Sequence, residues 1–211
     1  MMRVFKLMPM LSVLLLAVGC ASPRSQYYTL LPEAAPARAA SSGSIPPAYV
    51  ISVQAVSIPA QVNRPQIVIG TPDSVVLTPL NNSLWAAPLD SEIRQALAYD
   101  LARRLGVLEV PVGVALKKMP LWKIDIVVHR FDSIYRQGVV VDASWRLTPV
   151  NQPKQAAMIC QAQINVPAGA GIAALVQSHQ IALQDLASVM AAQLSHQPIS
   201  SNTAVRLKGC T

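Results

Sequence analysis

The chain has 211 residues, a formal net charge of +7 and 52% hydrophobic residues. This length is enough for one domain with a sizeable core. The basic residues are scattered and no basic run is interleaved with aromatic residues, which argues against nucleic-acid binding. A modest positive charge instead suits a protein that lies beside an anionic membrane.

The first nineteen residues have the pattern of a cleaved secretory signal. Arg3 and Lys6 form a short basic segment, and the 13 residues from 7 to 19 carry no charge. A membrane-spanning helix needs roughly 20 apolar residues, so a retained span is disfavoured. Pro9 and two cations at the start also disfavour a buried core helix. We therefore predict that residues 1–19 form a signal peptide.

Residues 17–20, Ala-Val-Gly-Cys, resemble the bacterial lipobox, in which the cysteine thiol is joined to a diacylglyceryl group before cleavage. The resemblance implies that Cys20 becomes the first residue of the mature chain and carries lipid. Because Ala21 rather than aspartate follows it, the implied location is the periplasmic face of the outer membrane of a Gram-negative bacterium. Two or more acyl chains make such anchoring stable. The alternative is a plain secretory signal with a coincidental cysteine.

Two further cysteines, Cys160 and Cys210, remain in the chain. In an oxidising periplasm an isolated pair can form one disulfide, and the alternative is two free thiols. Closing a loop of roughly 50 residues would stabilise the fold by about 3–4 kcal/mol in the chain-entropy model. It would also hold a C-terminal tail that otherwise frays.

The mature chain begins with a short predicted strand at residues 26–32, followed by a segment rich in Ala, Ser and Pro. That segment, residues 32–47, predicts a flexible loop because its composition cannot bury a core. Two tyrosines are poor linker residues. We therefore interpret residues 20–25 as a lipidated tether and residues 26–211 as the domain. In the alternative, the tether extends through the loop and the domain starts at Tyr49.

Three consecutive strands are then predicted, in residues 49–59, 64–70 and 73–80, and their close spacing favours antiparallel pairing of neighbours. The clearest helix follows in residues 88–106. Asp90 is its predicted N-cap, and Glu92 lies in the first turn. Gly106 is the predicted C-terminal stop.

Three longer strands are predicted in residues 121–133, 138–150 and 155–166, and a second long helix at about 170–195. In the middle strand, alternate residues are apolar, which is typical of a half-buried antiparallel strand. His179 lies on the apolar stripe of the second helix, where a hydrogen-bonded core residue is the simplest interpretation. The pattern predicts an α+β fold, with a largely antiparallel sheet covered by two main helices in a single domain.

The sequence contains no convincing catalytic motif, metal site or cofactor site. Asp125 and His129 share a strand face with Lys123, and they could orient a general base for a nucleophile such as Ser133 or Ser144. A solvated outer face with complementary charges is the alternative. Two glycines at 169 and 171 lack the pattern of a nucleotide loop, and a flexible helix entry explains them better.

Arg64 and Trp85 are the candidate residues of a partner interface, because they lie in or near turns stiffened by prolines. Arginine and tryptophan are favoured at protein interfaces. In the alternative interpretation, Trp85 is a core residue and Arg64 is a charge at a strand end.

Several segments, taken in order, resemble the ABC-type transport auxiliary lipoproteins, in particular the paraquat-inducible protein C-like group. They are the lipobox, Tyr-Tyr-Thr-Leu at 27–30, Asn-Arg-Pro-Gln-Ile-Val at 63–68, Trp-Ala-Ala-Pro-Leu-Asp at 85–90 and Val-Val-Val-Asp-Ala-Ser-Trp-Arg-Leu at 139–147. The resemblance spans nearly the whole mature chain.

The resemblance implies a non-enzymatic outer-membrane lipoprotein that works with a transporter carrying mammalian-cell-entry (MCE) domains. Such systems move phospholipid or other hydrophobic molecules between two membranes, and the lipoprotein would dock the periplasmic MCE assembly at the outer membrane. The alternatives are a lipid-anchored periplasmic hydrolase and a lipid-binding carrier. The cargo stays open, and so does the oligomeric state, a homo-oligomer being one alternative.

Overall fold

A computed structural model describes residues 24–32, 49–113, 118–199 and 203–211. Cys20, the predicted signal peptide and most of the predicted loop at 32–47 lie outside these residues. Within them the chain forms eight strands and two helices. The strands are β1 (Gln26–Tyr28), β2 (Val50–Val53), β3 (Gln66–Gly70), β4 (Leu77–Trp85), β5 (Leu121–Ile134), β6 (Gly138–Val150), β7 (Met158–Pro167) and β8 (Val205–Cys210). The helices are α1 (Leu89–Leu105) and α2 (Ile172–Leu194).

All eight strands belong to one mixed sheet, in the order β1-β4-β3-β5-β6-β7-β8, with β2 beside β5. The run from β5 to β8 is antiparallel, as is the β3–β4 pair. By contrast, β1 pairs in parallel with β4, and β2 in parallel with β5. The predicted α+β class and single domain are confirmed, with a sheet that is partly parallel.

The pairing predicted for the first three regular strands is right for β3 and β4 and wrong for β2. Val50 lies opposite Leu121 in a parallel pair with β5, and Ser57 makes a further parallel bridge to Val127. The chain therefore continues along the edge of β5 instead of turning back on itself. All four residues of β2 are buried, as expected for a parallel strand covered on both faces.

The core lies between one face of the sheet and the two helices. The predicted inward face of β6 is confirmed, because its alternate residues are almost completely buried: Val139, Val141, Ala143, Trp145 and Leu147. Leu97 of α1 and Leu183 of α2 are fully buried in the same cluster. Neither helix in the described part of the chain has the length and apolar character required to cross a membrane.

The first helix begins two residues earlier than an N-cap at Asp90 would allow. Pro88 occupies the N-cap position and makes no side-chain capping hydrogen bond. Asp90 is therefore not the N-cap but a first-turn residue, where its negative charge interacts favourably with the positive end of the helix dipole. The carbonyl of Pro88 accepts the N–H of Glu92 at 3.0 Å, so the helical bonds start there. Gly106 ends the helix in the left-handed conformation, as predicted.

The C-terminal segment forms a strand, β8, that the sequence pattern did not predict. It pairs with β7, and Cys210 lies directly opposite Cys160. A disulfide joins these two residues in the structure. Lys208 of β8 also forms an ion pair with Asp142 of β6, reaching across β7. The strand is therefore held by covalent and charged contacts rather than by burial, since five of its six residues are exposed.

Candidate partner-binding site

Arg64 and Trp85, the two residues predicted for an interface, line one open cleft of about 360 Å³. Asn63, Pro65 and residues 86–89 complete its wall. The two segments meet because β3 begins where its antiparallel partner β4 ends, and the N–H of Trp85 donates to the carbonyl of Pro65 at 2.8 Å. The cleft thus forms at one end of the β3–β4 hairpin.

The two predicted interface residues differ sharply in exposure. Trp85 is only 5% exposed, and its ring packs edge-on against Phe131 with 6.2 Å between centroids. It belongs to the core and forms the floor of the cleft. Arg64 is exposed at the rim, as are Ala86 and Pro88. Arg64 is therefore the side chain that a partner could reach.

The cleft is built from segments with little conformational freedom. Pro65 and Pro88 have fixed backbone torsions on its two walls. A turn positions Arg64, since the N–H of Val62 donates to Pro59 at 3.1 Å and the N–H of Asn63 donates to Ala60 at 3.3 Å. A preformed wall loses little entropy when a partner binds, which favours affinity.

The segment after β1 is clamped beside this cleft by side chains from both helices. Glu92 of α1 is 4% exposed, and its Oε2 accepts hydrogen bonds from the Leu30 N–H at 2.7 Å and from Thr29 Oγ1 at 2.8 Å. Gln180 of α2 donates to the carbonyls of Thr29 and Leu31 at 3.1 and 3.2 Å. The position of Glu92 in the first turn was predicted, but its partners Thr29 and Leu30 were not. The available signal was a carboxylate directly before Ile93, an apolar residue of α1 that is fully buried.

Asp125 and His129 lie on the exposed outer face of β5, together with Lys123. His129 Nε2 is 2.9 Å from Ser144 Oγ, whereas Asp125 lies opposite Arg146 on β6. Neither Asp125 nor His129 lines the cleft or either of the two others described below. The arrangement is that of a solvated face with complementary charges, which the hydrolase hypothesis does not accommodate.

Ser133 lies on the opposite, buried face, where its Oγ is 2.8 Å from His179 Nε2. This confirms His179 as a hydrogen-bonded core residue. Its ring is stacked on Phe131 at 3.9 Å between centroids. Burial lowers the pKa of His179 to about 3, so the imidazole is neutral. Its Nδ1 has no hydrogen-bond partner among the described residues, so the pair lacks a third group that would orient the ring for catalysis.

Two other surface clefts lie at the opposite end of the β3–β4 hairpin. One, of about 470 Å³, lies between residues 70–77 and residues 130–137. The other, of about 290 Å³, is formed by the turn between β5 and β6 and the end of β7. In the described part of the chain, no three His, Cys, Asp or Glu side chains are grouped so that they could hold a metal ion.

Residues 28–191 match the model of the ABC-type transport auxiliary lipoprotein component family. The match covers well over half of the chain, so the protein belongs to this family. The family resemblance inferred from the sequence segments is confirmed.

The chain is 29% identical over 140 residues to the Intermembrane transport lipoprotein PqiC of Escherichia coli K12. The aligned residues cover 64% of this chain and 70% of that protein. PqiC of Shigella flexneri matches with the same values. A crystal structure of an uncharacterized protein aligns with a TM-score of 0.61 at 20% identity, covering 82% of this chain and 99% of the other. Protein XCC0632 of Xanthomonas campestris aligns with a TM-score of 0.54 at 15% identity, covering 69% and 83%. At these identities the two structures show a shared fold.

Proposed function

We propose that the protein is a lipid-anchored, non-enzymatic adaptor of an intermembrane transport system. The observation that carries the proposal is the family match over residues 28–191. The curated relatives named above are themselves called intermembrane transport lipoproteins. In this proposal Cys20 carries the lipid and holds the domain at the periplasmic face of the outer membrane. Its task is to dock the periplasmic MCE-domain protein of the transporter there.

The docking site in this proposal is the cleft at Arg64. The exposed guanidinium has a planar set of donors suited to carboxylate or carbonyl oxygens of a partner segment. The apolar wall beside it, with Ala86 and Pro88 at the rim, would bury part of that segment. Arginine is enriched among interface hot spots, and the apolar wall would help a partner to exclude water from the contacts of Arg64.

Crosslinking in intact cells tests the proposal. A C-terminally tagged chain is crosslinked, purified and analysed by mass spectrometry for the proteins that accompany it. We expect an MCE-domain protein to be recovered, and its recovery to fall at least about tenfold for Arg64→Glu combined with Ala86→Gln. Trp85→Ala is unsuitable, because removing a buried tryptophan costs roughly 3–5 kcal/mol and would unfold part of the domain.

The matched control is Arg146→Glu, which changes an exposed arginine on the outer face of the sheet by the same charge. It should leave recovery unchanged, as should Asp125→Asn combined with His129→Ala. Recovery of only peptidoglycan or outer-membrane barrel proteins would contradict the transport proposal. Loss of recovery with the Asp125 and His129 variant would show that the partner contacts the outer face of the sheet and not the cleft.

A further inference from the structure

Three consecutive apolar side chains are exposed at the turn into β4. Val75, Val76 and Leu77 have 100%, 62% and 50% of their surface accessible. We call these residues the 75–77 tip. Single exposed apolar residues are common, but a contiguous group at the end of a hairpin marks a surface that contacts another apolar phase or protein.

The direction of β1 points the chain that precedes it toward the end of the sheet that carries the 75–77 tip. β1 runs parallel to β4, with Gln26 opposite Ser83. The chain therefore enters β1 from the side on which β4 begins. Leu77 precedes Ser83 by six residues, or about 20 Å of strand. Cys20 also precedes Gln26 by six residues, and six extended residues span at most about 22 Å, which is enough to reach the level of the tip.

The base of the tip carries an aromatic and a basic residue. The N–H of Tyr135, in the turn between β5 and β6, donates to the carbonyl of Gly70 at 2.9 Å, which fixes this turn beside the end of β3. The Arg136 guanidinium lies 5.6 Å from the centroid of the Tyr135 ring. Tyrosine and arginine are favoured where an apolar surface meets lipid headgroups, since each combines an apolar body with a polar end.

We propose that the 75–77 tip inserts into the interfacial region of the lipid leaflet that holds the Cys20 anchor. This inference rests on the lipid anchor of the proposed function. It assigns the tip to a lipid surface because the chain enters β1 from the side of the tip, and the six-residue separation between Cys20 and Gln26 is long enough to span the distance to it. Trp85 follows Leu77 by eight residues, so the Arg64 cleft opens about 26 Å from the tip, away from the membrane.

Fluorescence quenching in vesicles tests the inference on the full, lipidated chain. Val76→Trp places an indole at the tip, and Gln155→Trp places one in the exposed turn between β6 and β7, at the other end of β6. The native Trp85, Trp122 and Trp145 are buried and give a constant background. Each variant is reconstituted in vesicles of phosphatidylethanolamine and phosphatidylglycerol, with and without brominated acyl chains.

We expect brominated lipid to quench roughly half or more of the emission added by Val76→Trp, because a segment inserted about 5–10 Å reaches the acyl boundary. The emission added by Gln155→Trp should be unaffected. Adding Val75→Asp and Leu77→Asp to the Val76→Trp chain should restore its emission, since charged side chains oppose insertion. Vesicle flotation, measured on the same samples, should stay complete for all variants.

Quenching tests the insertion of the tip, and flotation tests the lipid anchor, so the two can fail separately. If the chains float with the vesicles but Val76→Trp is quenched no more than Gln155→Trp, the tip does not contact lipid and the inference is overturned while the anchor stands. If the chains do not float, the lipid anchor of the proposed function is wrong, and this inference fails with it.

Discussion

His179 lies on the buried face of α2, hydrogen-bonded to Ser133 and stacked on Phe131, and none of its surface is accessible. Burial in this apolar setting disfavours the charged imidazolium, so the pKa of His179 falls to about 3. An unfolded chain would bind this proton near pH 6.5. The difference makes His179 a source of acid sensitivity in the folded domain.

Whether a fall in pH raises or lowers the free energy of unfolding depends on which state binds the proton. Between about pH 6.5 and pH 3, the unfolded state holds a proton on His179 that the native state does not. This residue alone should therefore lower the free energy of unfolding by up to about 1.4 kcal/mol per pH unit as the pH falls through that range. We expect His179→Gln to remove this part of the slope in urea unfolding measured from pH 4 to pH 8.

His129→Gln is the matched control, because it removes an imidazole that lies on the exposed outer face of β5. Glutamine retains a polar group that can bond to Ser133. An unchanged slope in the His179→Gln variant would show that the imidazole takes up a proton in the folded state.

At the scale of single elements, the exposed strand β8 is held to the sheet by an ion pair between Lys208 and Asp142 and by a disulfide. Burial alone would raise the pKa of Asp142, but the hydrogen bonds from Lys208 and Gln161 outweigh that effect and hold the pKa of this carboxyl below its usual value. The ion pair therefore stabilises the fold fully above the pKa that Asp142 has in the unfolded chain. This stabilisation is lost as the pH falls through the lower pKa that Asp142 has in the folded domain. The disulfide between Cys160 and Cys210 links β8 covalently to β7.

We predict that Cys210→Ala lowers the free energy of unfolding by about 3–4 kcal/mol, because the unfolded chain regains the freedom of a loop of roughly 50 residues. Cys210 is exposed, so the change leaves no cavity. Urea unfolding gives the free energy, and hydrogen exchange should show faster exchange in β8. Reductant should destabilise the native chain and leave the Cys210→Ala variant unaffected. A native chain insensitive to reductant would contradict the bridge.

At the scale of the whole molecule, the N-terminal segment connects the proposed membrane end with the proposed docking cleft. The carbonyl of Tyr28 accepts the N–H of Ala86 at 2.8 Å, which attaches β1 to the cleft wall. Two residues later, Leu30 is fully buried under the Glu92 carboxylate. A force on the tether would therefore be transmitted directly to the sheet and to α1.

We predict that Glu92→Ala lowers the free energy of unfolding by about 1–3 kcal/mol, since the buried N–H of Leu30 loses its acceptor. Limited proteolysis should then cut faster within residues 24–32. Glu92→Gln keeps an acceptor and should cost less. Asp90→Ala, in the same turn but only half-buried, is the control. Equal effects of Glu92→Ala and Asp90→Ala would mean that the clamp adds no stability.

The candidate site could be predicted only in part from the sequence. The sequence predicts Arg64 and Trp85 for one interface, and the structure places both on one cleft. Their different depths depend on Phe131, which lies 46 residues beyond Trp85 in the chain. The clamp at Glu92 depends on Leu30, 62 residues away. Contacts at such separations leave no periodic trace in either segment, so a local pattern can mark Glu92 as an unusual carboxylate but cannot identify its partner.

The sequence by itself determined the elements whose signal is local. The repeat of two in β6 and the helical stripes of α1 and α2 record which side of each element faces the core, and burial enforces that pattern residue by residue. The tertiary structure alone decided that β2 joins β5 in parallel and that residues 205–210 form an edge strand. Strand pairing uses backbone groups that every residue carries, so its partners are chosen by the assembled sheet and not by the side chains of one segment.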